Sequence, residues 1–131
     1  MVTREDIESW ITRLDGGTIV YKEIEPGLWV VHTQEGAEVV VHFAPPVVLL
    51  RVRVMQLPAA PPRRGELFRQ LLELNARDLL HGSYGLEGDE VVLTDTLELE
   101  NLDYNEFEAS FDSITLALAA HLGALAPYRE K

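Results

Sequence analysis

The feature that most constrains the fold of this chain is an apolar stripe near its C-terminus. Large apolar side chains recur there at spacings of three and four residues: Phe107, Phe111, Ile114, Leu118, Leu122 and Leu125. That spacing places them on one face of an α-helix. Asp103 and Glu106 form a capping-box variant that opens this helix, and Pro127 ends it. The sequence therefore predicts a long helix over residues 103–125 that buries one face against another layer.

The segments ahead of this helix predict two more helices and a sheet. Thr3 is an N-cap for a first helix, which the glycine pair at residues 16–17 stops. Period-two alternation and β-branched content then predict six strands. These strands lie at residues 18–25, 28–34, 38–43, 47–57, 82–86 and 91–99. A second helix is expected over residues 66–80, after an exposed connector at 57–65.

Short turns between successive strands imply antiparallel pairing. The turn of the last hairpin is expected at Gly88, because glycine suits the first central position of a type II′ turn. The order α-β-β-β-β-α-β-β-α predicts one α+β domain over residues 1–131. Its mainly antiparallel sheet carries the helices on one face.

The net charge of the chain is concentrated in its C-terminal part. There are 11 Lys and Arg against 22 Asp and Glu, a net charge of −11, and no Lys or Arg occurs between residues 78 and 128. Such a field favours basic protein partners and disfavours phosphate backbones. A local basic patch is conceivable, but no basic strand with interleaved aromatic residues supports it. Its members would be Arg51, Arg53, Arg63, Arg64 and Arg69.

Five acids cluster where the last strand meets the last helix, and we call them the acidic corner. They are Glu98, Glu100, Asp103, Glu106 and Glu108. Negative charge at a helix N-terminus explains part of the cluster. The remainder has two interpretations: a docking face for a basic partner, or a solvated surface that gives solubility. The regular ligand spacing of a calcium loop is absent from this stretch.

Four histidines are candidates for a metal site or a general base. With a two-residue turn in the first hairpin, Trp29 pairs with His42 and His32 pairs with Val39. The two histidines then point to opposite faces and share no metal ion. His81 and His121 have no acid or histidine at ligand spacing, so structural or surface roles are expected for them.

Asp95 is a candidate functional acid, because its alternation places it on the apolar face of the last strand. It is expected across from Gly82. One interpretation is that the Asp95 carboxylate is solvated, either because this end of the hairpin is open to water or because a β-bulge interrupts the strand. The second is a metal-dependent hydrolase that uses Asp95 together with the acidic corner. The sequence has no second carboxylate at a fixed spacing from Asp95, and this absence counts against the hydrolase.

The compartment and cofactor expectations rest on what the sequence lacks. It has no cysteine, no basic start followed by an apolar run, and no cofactor motif. We therefore expect a cytoplasmic protein without a cofactor.

Three short motifs resemble the YbjN family of small bacterial proteins, which are labelled sensory-transduction regulators. The motifs are Leu-Leu-Glu-Leu-Asn-Ala at 71–76, Gly-Ser-Tyr-Gly-Leu at 82–86 and Leu-Glu-Leu-Glu-Asn-Leu at 97–102. The pair Leu74-Asn75 is the most distinctive. That family resembles class I type III secretion chaperones in fold, which are small, acidic, dimeric α+β proteins that hold partner chains. This chain has four strands before its second helix, where those chaperones usually have three.

The resemblance implies a non-enzymatic binding role and dimerisation, and it transfers no catalytic residue. Together with the charge distribution, it leads to the hypothesis of an acidic, homodimeric adaptor or chaperone-like regulator. Its partner would be a protein with a basic surface, such as a DNA-handling protein, and not nucleic acid or a membrane. The second helix or an adjacent strand is the expected dimer contact.

Overall fold

The computed structural model describes residues 1–129 and contains three helices and six strands within that range. In chain order they are α1 (Arg4–Arg13), β1 (Val20–Glu25), β2 (Leu28–His32), β3 (Glu38–Ala44), β4 (Val47–Gln56), α2 (Pro61–Arg77), β5 (Ser83–Glu87), β6 (Glu90–Glu98) and α3 (Tyr104–Leu125). Short 3₁₀ turns follow α1 and α3, at Leu14–Gly17 and Ala126–Tyr128. The predicted fold class and order of elements are confirmed.

The six strands form one antiparallel sheet in the order β1-β2-β3-β4-β6-β5. Period-two alternation separates an inner face from an outer one: Trp29 and Leu50 are fully buried, whereas Val30 and Leu49 beside them are partly exposed. The three helices supply the other half of the core. The outer face of the sheet carries no helix among the described residues, and β1 and β5 are its edge strands.

The apolar stripe of α3 packs on the inner face as predicted. Phe107, Phe111, Ile114 and Leu125 are buried, while Leu122, at the margin of the stripe, is 45% exposed. By length and composition, the stretch Tyr104–Tyr128 is apolar enough to cross a membrane. In this domain its buried side chains belong to the main core.

The two predicted N-caps, Thr3 and Asp103, are both formed. The Thr3 hydroxyl accepts a bond from the Asp6 backbone N–H at 3.2 Å, and the Asp6 carboxylate accepts one from the Thr3 backbone N–H at 2.9 Å. At α3, the Asp103 carboxylate accepts a bond from the Glu106 N–H at 2.8 Å. These bonds satisfy backbone donors that have no partner within the helix.

The predicted start of α2 is wrong. The helix begins at Pro61, inside the segment expected to be a connector, and it ends at Arg77. Proline is well suited to the first turn of a helix, because its fixed φ is helical and the N–H that it lacks would have had no partner within the helix. The prolines at 61 and 62 therefore start the helix instead of preventing it.

The predicted register of the first hairpin is also wrong, by one residue. Thr33 pairs with Ala37, at 2.9 Å from N to O, which leaves a three-residue turn in which Gly36 has a φ of 92°. His42 consequently pairs with Leu28, and His32 pairs with Glu38. Because side chains alternate, a shift of one residue moves a whole strand to the other face.

Candidate protein-docking surfaces

The acidic corner is exposed, apart from Glu108, which is half-buried. Glu98 ends β6, Glu100 lies in the turn that follows, and Asp103 caps α3. The Glu108 carboxylate accepts a bond of 2.8 Å from the Tyr104 hydroxyl. Among residues 1–129 no Lys or Arg forms a salt bridge with any of the five. The corner therefore presents uncompensated negative charge.

Elsewhere the fold reduces the charge asymmetry seen in the sequence. Antiparallel pairing brings Arg51 to 2.6 Å from Glu87 and joins Arg53 to Glu90 in an ion pair. Two acids from the acidic stretch are thereby matched to bases from the balanced part of the chain. The remaining arginines of the conceivable basic patch also have acceptors, in Glu66, Pro58 and Glu73. No free basic patch therefore forms within the described residues.

A second surface is apolar and lies where α2 meets the edge strand β5. Leu72 and Leu86 are 67% and 50% exposed, and Leu80, just after the helix, is 91% exposed. Phe68 precedes Leu72 by one helical turn and is also partly exposed. We call these four residues the α2–β5 patch. Among the described residues nothing covers it.

Asn75 fixes β5 against α2. Its side-chain amide donates to the Tyr84 carbonyl at 3.1 Å, and its oxygen accepts from the Tyr84 N–H at 2.7 Å. The side chain thus makes the pair of bonds that a neighbouring strand would make at this edge. The most distinctive residue of the sequence motif has a structural role.

Tyr84 is held at its other end by a buried histidine. The Tyr84 hydroxyl lies 2.7 Å from Nδ1 of His121, and Nε2 of His121 lies 3.4 Å from a carboxylate oxygen of Asp78. Both Tyr84 and His121 are nearly fully buried. Burial raises the pKa of Tyr84 to about 12. This Asp78–His121–Tyr84 chain joins α2, α3 and β5, and its members are too far apart in sequence for ligand spacing to reveal it.

Asp95 lies on the inner face, as predicted, opposite Leu50 of β4. Its oxygens accept bonds from the Ser110 hydroxyl at 2.5 Å and from the Thr96 backbone at 3.0 Å. Its Cβ faces Gly82. The pairing with β4 is regular at this point, so the half-buried carboxylate is explained by partial access to water and by hydrogen bonds, not by a bulge.

The predicted opposite orientation of His32 and His42 is wrong, because the corrected register places both on the outer face. They lie four residues apart along the strands, which is about 13 Å and too far for one metal ion. Across residues 1–129, no three His, Asp or Glu side chains are grouped closely enough to hold a metal. The arrangement gives the hydrolase alternative no support.

An open groove lies where β4 extends past the start of β3, and sequence patterns did not reveal it. It has a volume of about 870 Å³. One wall is the C-terminal half of α3, including Leu116 and Leu122, which are 70% and 45% exposed. The other walls come from β4, from the β2–β3 turn with the start of β3, and from the β5–β6 hairpin, and Asp15 and Arg129 also line the groove. We call it the α3–β4 groove.

This architecture, an antiparallel sheet covered on one face by three helices and bearing exposed apolar surfaces, defines a small α+β binding fold. The ExoU–SpcU complex of the Pseudomonas aeruginosa type III secretion system contains a similar chain, with a TM-score of 0.67, 17% identity and coverage of 95% of this chain and 98% of that one. YbjN from E. coli matches with a TM-score of 0.65, 13% identity and coverage of 94% and 93%. A chain of the ExsC–ExsE complex matches with a TM-score of 0.59 and 15% identity, and the match covers 92% of this chain and 94% of that one. At these identities the likeness shows the fold.

A family model places the chain more specifically. The CesT_Tir_1 model matches residues 2–131, so the chain belongs to this type III chaperone family. The resemblance to YbjN and to secretion chaperones is confirmed. No curated protein matches the sequence significantly.

Proposed function

We propose that this protein is a non-enzymatic, chaperone-like adaptor that acts in the cytoplasm as a homodimer and binds a basic partner protein. The observation that carries the proposal is the family match over residues 2–131. Similar chains occur in the ExoU–SpcU and ExsC–ExsE complexes. The uncovered surfaces described above are consistent with a binding role.

The acidic corner is the proposed docking surface for the partner. Within residues 1–129 none of its acids has a salt-bridge partner, so a basic protein can pair with them without breaking an existing salt bridge. Exposed charges of this kind mainly accelerate association and select partners. A DNA-handling protein has a surface of the required sign, and direct contact with nucleic acid is opposed by the net charge of −11.

The α2–β5 patch is the proposed contact with a second copy. Two molecules of charge −11 repel each other unless they meet at a surface that is not acidic. Helix α2 is such a surface, because it has four arginines and two glutamates. Leu72 and Leu86 provide the apolar area, and α2 against α2 gives a self-complementary contact with twofold symmetry.

Affinity capture from the source cell tests the partner proposal. A tagged chain should retain a specific protein at about 50 mM salt and lose most of it at about 500 mM, because salt screens exposed charges. A variant with Glu98→Gln, Glu100→Gln and Glu106→Gln should lose it as well. A control with Glu5→Gln, Glu25→Gln and Asp89→Asn removes the same charge elsewhere and should keep the partner. Failure to retain any protein at low salt, or equal loss in both variants, contradicts the proposal.

Light scattering tests the dimer. The wild-type chain should show twice the monomer mass of 14.7 kDa at micromolar concentration, and Leu72→Glu should show the monomer mass. Leu116→Glu is the matched control, because Leu116 on α3 is 70% exposed and Leu72 is 67% exposed. A monomeric wild-type chain, or dissociation by Leu116→Glu instead, would rule out the α2–β5 contact.

A further inference from the structure

Helix α3 has a second apolar face, which points away from the core. Leu116, Ala120 and Gly123 recur at spacings of four and three residues, so they lie on one line along the helix. All three are exposed, and Leu116 is 70% exposed. No Asp, Glu, Lys or Arg occurs from residue 113 to residue 128. We call Leu116, Ala120 and Gly123 the α3 ridge.

Gly123 leaves a gap in the α3 ridge that the domain itself does not use. A Cβ added at Gly123 would meet no heavy atom within 4 Å, and the backbone there does not need a positive φ. Glycine inside a helix is less favourable than alanine, so neither packing nor backbone conformation within one chain accounts for it. The gap does give room for a side chain of a closely packed second helix.

A second copy of α3 fits the α3 ridge when the two helices run antiparallel. A twofold axis between Ala119 and Ala120 places Leu116 of one copy over Gly123 of the other, and symmetry repeats this contact at the other end. At a rise of about 1.5 Å per residue, the two copies of Glu106 then lie about 40 Å apart. A parallel pair would bring the acidic N-terminal ends of α3 together, and repulsion between like charges disfavours it.

The ends of the α3 ridge have opposite charges without a partner in the same chain. Asp112 precedes the ridge and Arg129 follows it, and both line the same groove beside α3. Among residues 1–129 neither forms a salt bridge, and at least about 20 Å of helix separates them. The antiparallel pair brings Asp112 of one copy beside Arg129 of the other. Burial is the main cause that raises the pKa of Asp112, and a guanidinium beside the carboxylate favours its charged form.

We propose that the α3 ridge binds the α3 ridge of a second copy as an antiparallel pair, with Leu116 packed over Gly123. Asp112 then pairs with Arg129 across the contact. One face of a single helix is smaller than the about 800 Å² per partner of a stable interface, so the contact is weak, with a dissociation constant of about 100 μM. It uses a different helix from the α2–β5 contact and does not depend on the adaptor function. Two different self-contacts join dimers into larger assemblies, and a tetramer forms where the two axes meet.

Sedimentation velocity of the full chain at about 5 μM and about 500 μM tests the contact. The mass should rise from two chains of 14.7 kDa towards four over this range. Salt should strengthen the association, because it screens the repulsion between copies of charge −11, whereas it should weaken binding of a basic partner. With Leu72→Glu the mass should rise from one chain towards two, so the outcome does not depend on the α2–β5 contact. A mass that does not rise at low or high salt overturns the proposal.

Helix variants locate the association to the α3 ridge. Gly123→Gln should raise the thermal midpoint, because glutamine is the better helix former, yet weaken association about tenfold by filling the place of Leu116. Loss of association by a more stable protein excludes misfolding as its cause. Ala120→Gln should also weaken association about tenfold, whereas Ala109→Gln, the same change at an exposed alanine ahead of the ridge, should stay within about twofold. Equal effects of the two alanine variants, or normal association of Gly123→Gln, would overturn the ridge contact.

An exchange of charges tests the antiparallel arrangement. Asp112→Arg alone places like charges opposite each other, and so does Arg129→Asp alone. Each variant should therefore self-associate about fivefold more weakly than the wild type. An equimolar mixture of the two variants restores both ion pairs and has the mean charge of the wild type, so it should associate about as strongly. A mixture that associates no better than the two separate variants contradicts the antiparallel pair.

Flotation with uncharged phosphatidylcholine vesicles distinguishes a second copy from a membrane, since the stretch Tyr104–Tyr128 is apolar enough to cross one. The chain should stay unbound. Vesicle binding that Leu116→Glu abolishes would assign the α3 ridge to a membrane and overturn the proposal. A cellular protein that the wild type captures and Ala120→Gln does not, without self-association of the wild type, would assign the ridge to that protein instead.

Discussion

Asn75 offers the sharpest test of how this fold is held together. Its amide supplies both hydrogen bonds to the backbone of Tyr84, at 3.1 and 2.7 Å, and so ties an edge strand to α2. Asn75→Ala leaves one N–H and one C=O without these partners. Each such bond contributes about 0.5–1.5 kcal/mol net, so the expected loss is about 2 kcal/mol in the free energy of unfolding. That is roughly a 30-fold change in the unfolding equilibrium.

Urea unfolding followed by circular dichroism measures this loss. Gln70→Ala is the matched control, because Gln70 lies on the same helix, is half-buried, and its side chain has no hydrogen bond to a described residue. It should change stability by less than about 0.5 kcal/mol. If Asn75→Ala is no more destabilised than Gln70→Ala, the bonds to Tyr84 do not stabilise the sheet and the reasoning is refuted.

Asn75→Asp separates the two bonds. The carboxylate still accepts from the Tyr84 N–H, but it cannot donate to the Tyr84 carbonyl. We expect destabilisation at neutral pH and partial recovery below about pH 4, where a protonated carboxyl regains a donor. A stability difference from wild type that does not change with pH would contradict this assignment.

Two further predictions concern the β5–β6 hairpin, to which Tyr84 belongs. Gly82 has a φ of 82°, and an added Cβ would lie 2.7 Å from the Thr94 carbonyl oxygen, whereas Gly88 has a φ of 60° with open space around it. Gly82→Ala should therefore lose about 1–3 kcal/mol more than Gly88→Ala in urea unfolding, and equal losses would contradict the close contact. The pKa of Tyr84 is raised from 10.0 to about 12, so the stability it adds is complete below pH 10 and is lost as the pH rises towards 12. Tyr84→Phe should reduce this alkaline loss, by about 2–3 kcal/mol at most, and an unchanged pH profile would refute the role of its burial.

Local signals in the sequence were sufficient for the elements whose determinants are local. The stripe from Phe107 to Leu125 and the Asp103 cap predict α3, and Thr3 with Asp6 predicts the start of α1. The wrong start of α2 has a local cause too, because proline both breaks helices and begins them. The sequence pattern did not distinguish these two roles at Pro61.

The register of the first hairpin depended on one residue of turn length. A two-residue and a three-residue turn are both compatible with Glu35 and Gly36, yet they place His32 and His42 differently relative to the core. Alternation within each strand could not decide between them, since both strands have apolar residues on both faces.

The candidate sites were the least predictable part. The acidic corner is contiguous in sequence and was visible there, and its role in docking stays a prediction. The Asp78–His121–Tyr84 chain and the α3–β4 groove are formed by residues that only the tertiary fold brings together. Asn75 was visible as a motif residue, but its bonds to Tyr84 required the packing of β5 against α2.

Native mass spectrometry of the tagged protein, purified gently from the source cell at low salt, tests the central claim most directly. The account predicts a complex that contains two copies of the 14.7 kDa chain together with a second, basic polypeptide. It also predicts that the second polypeptide dissociates when the salt concentration is raised. A single chain without any bound polypeptide, at every salt concentration, would contradict the adaptor function.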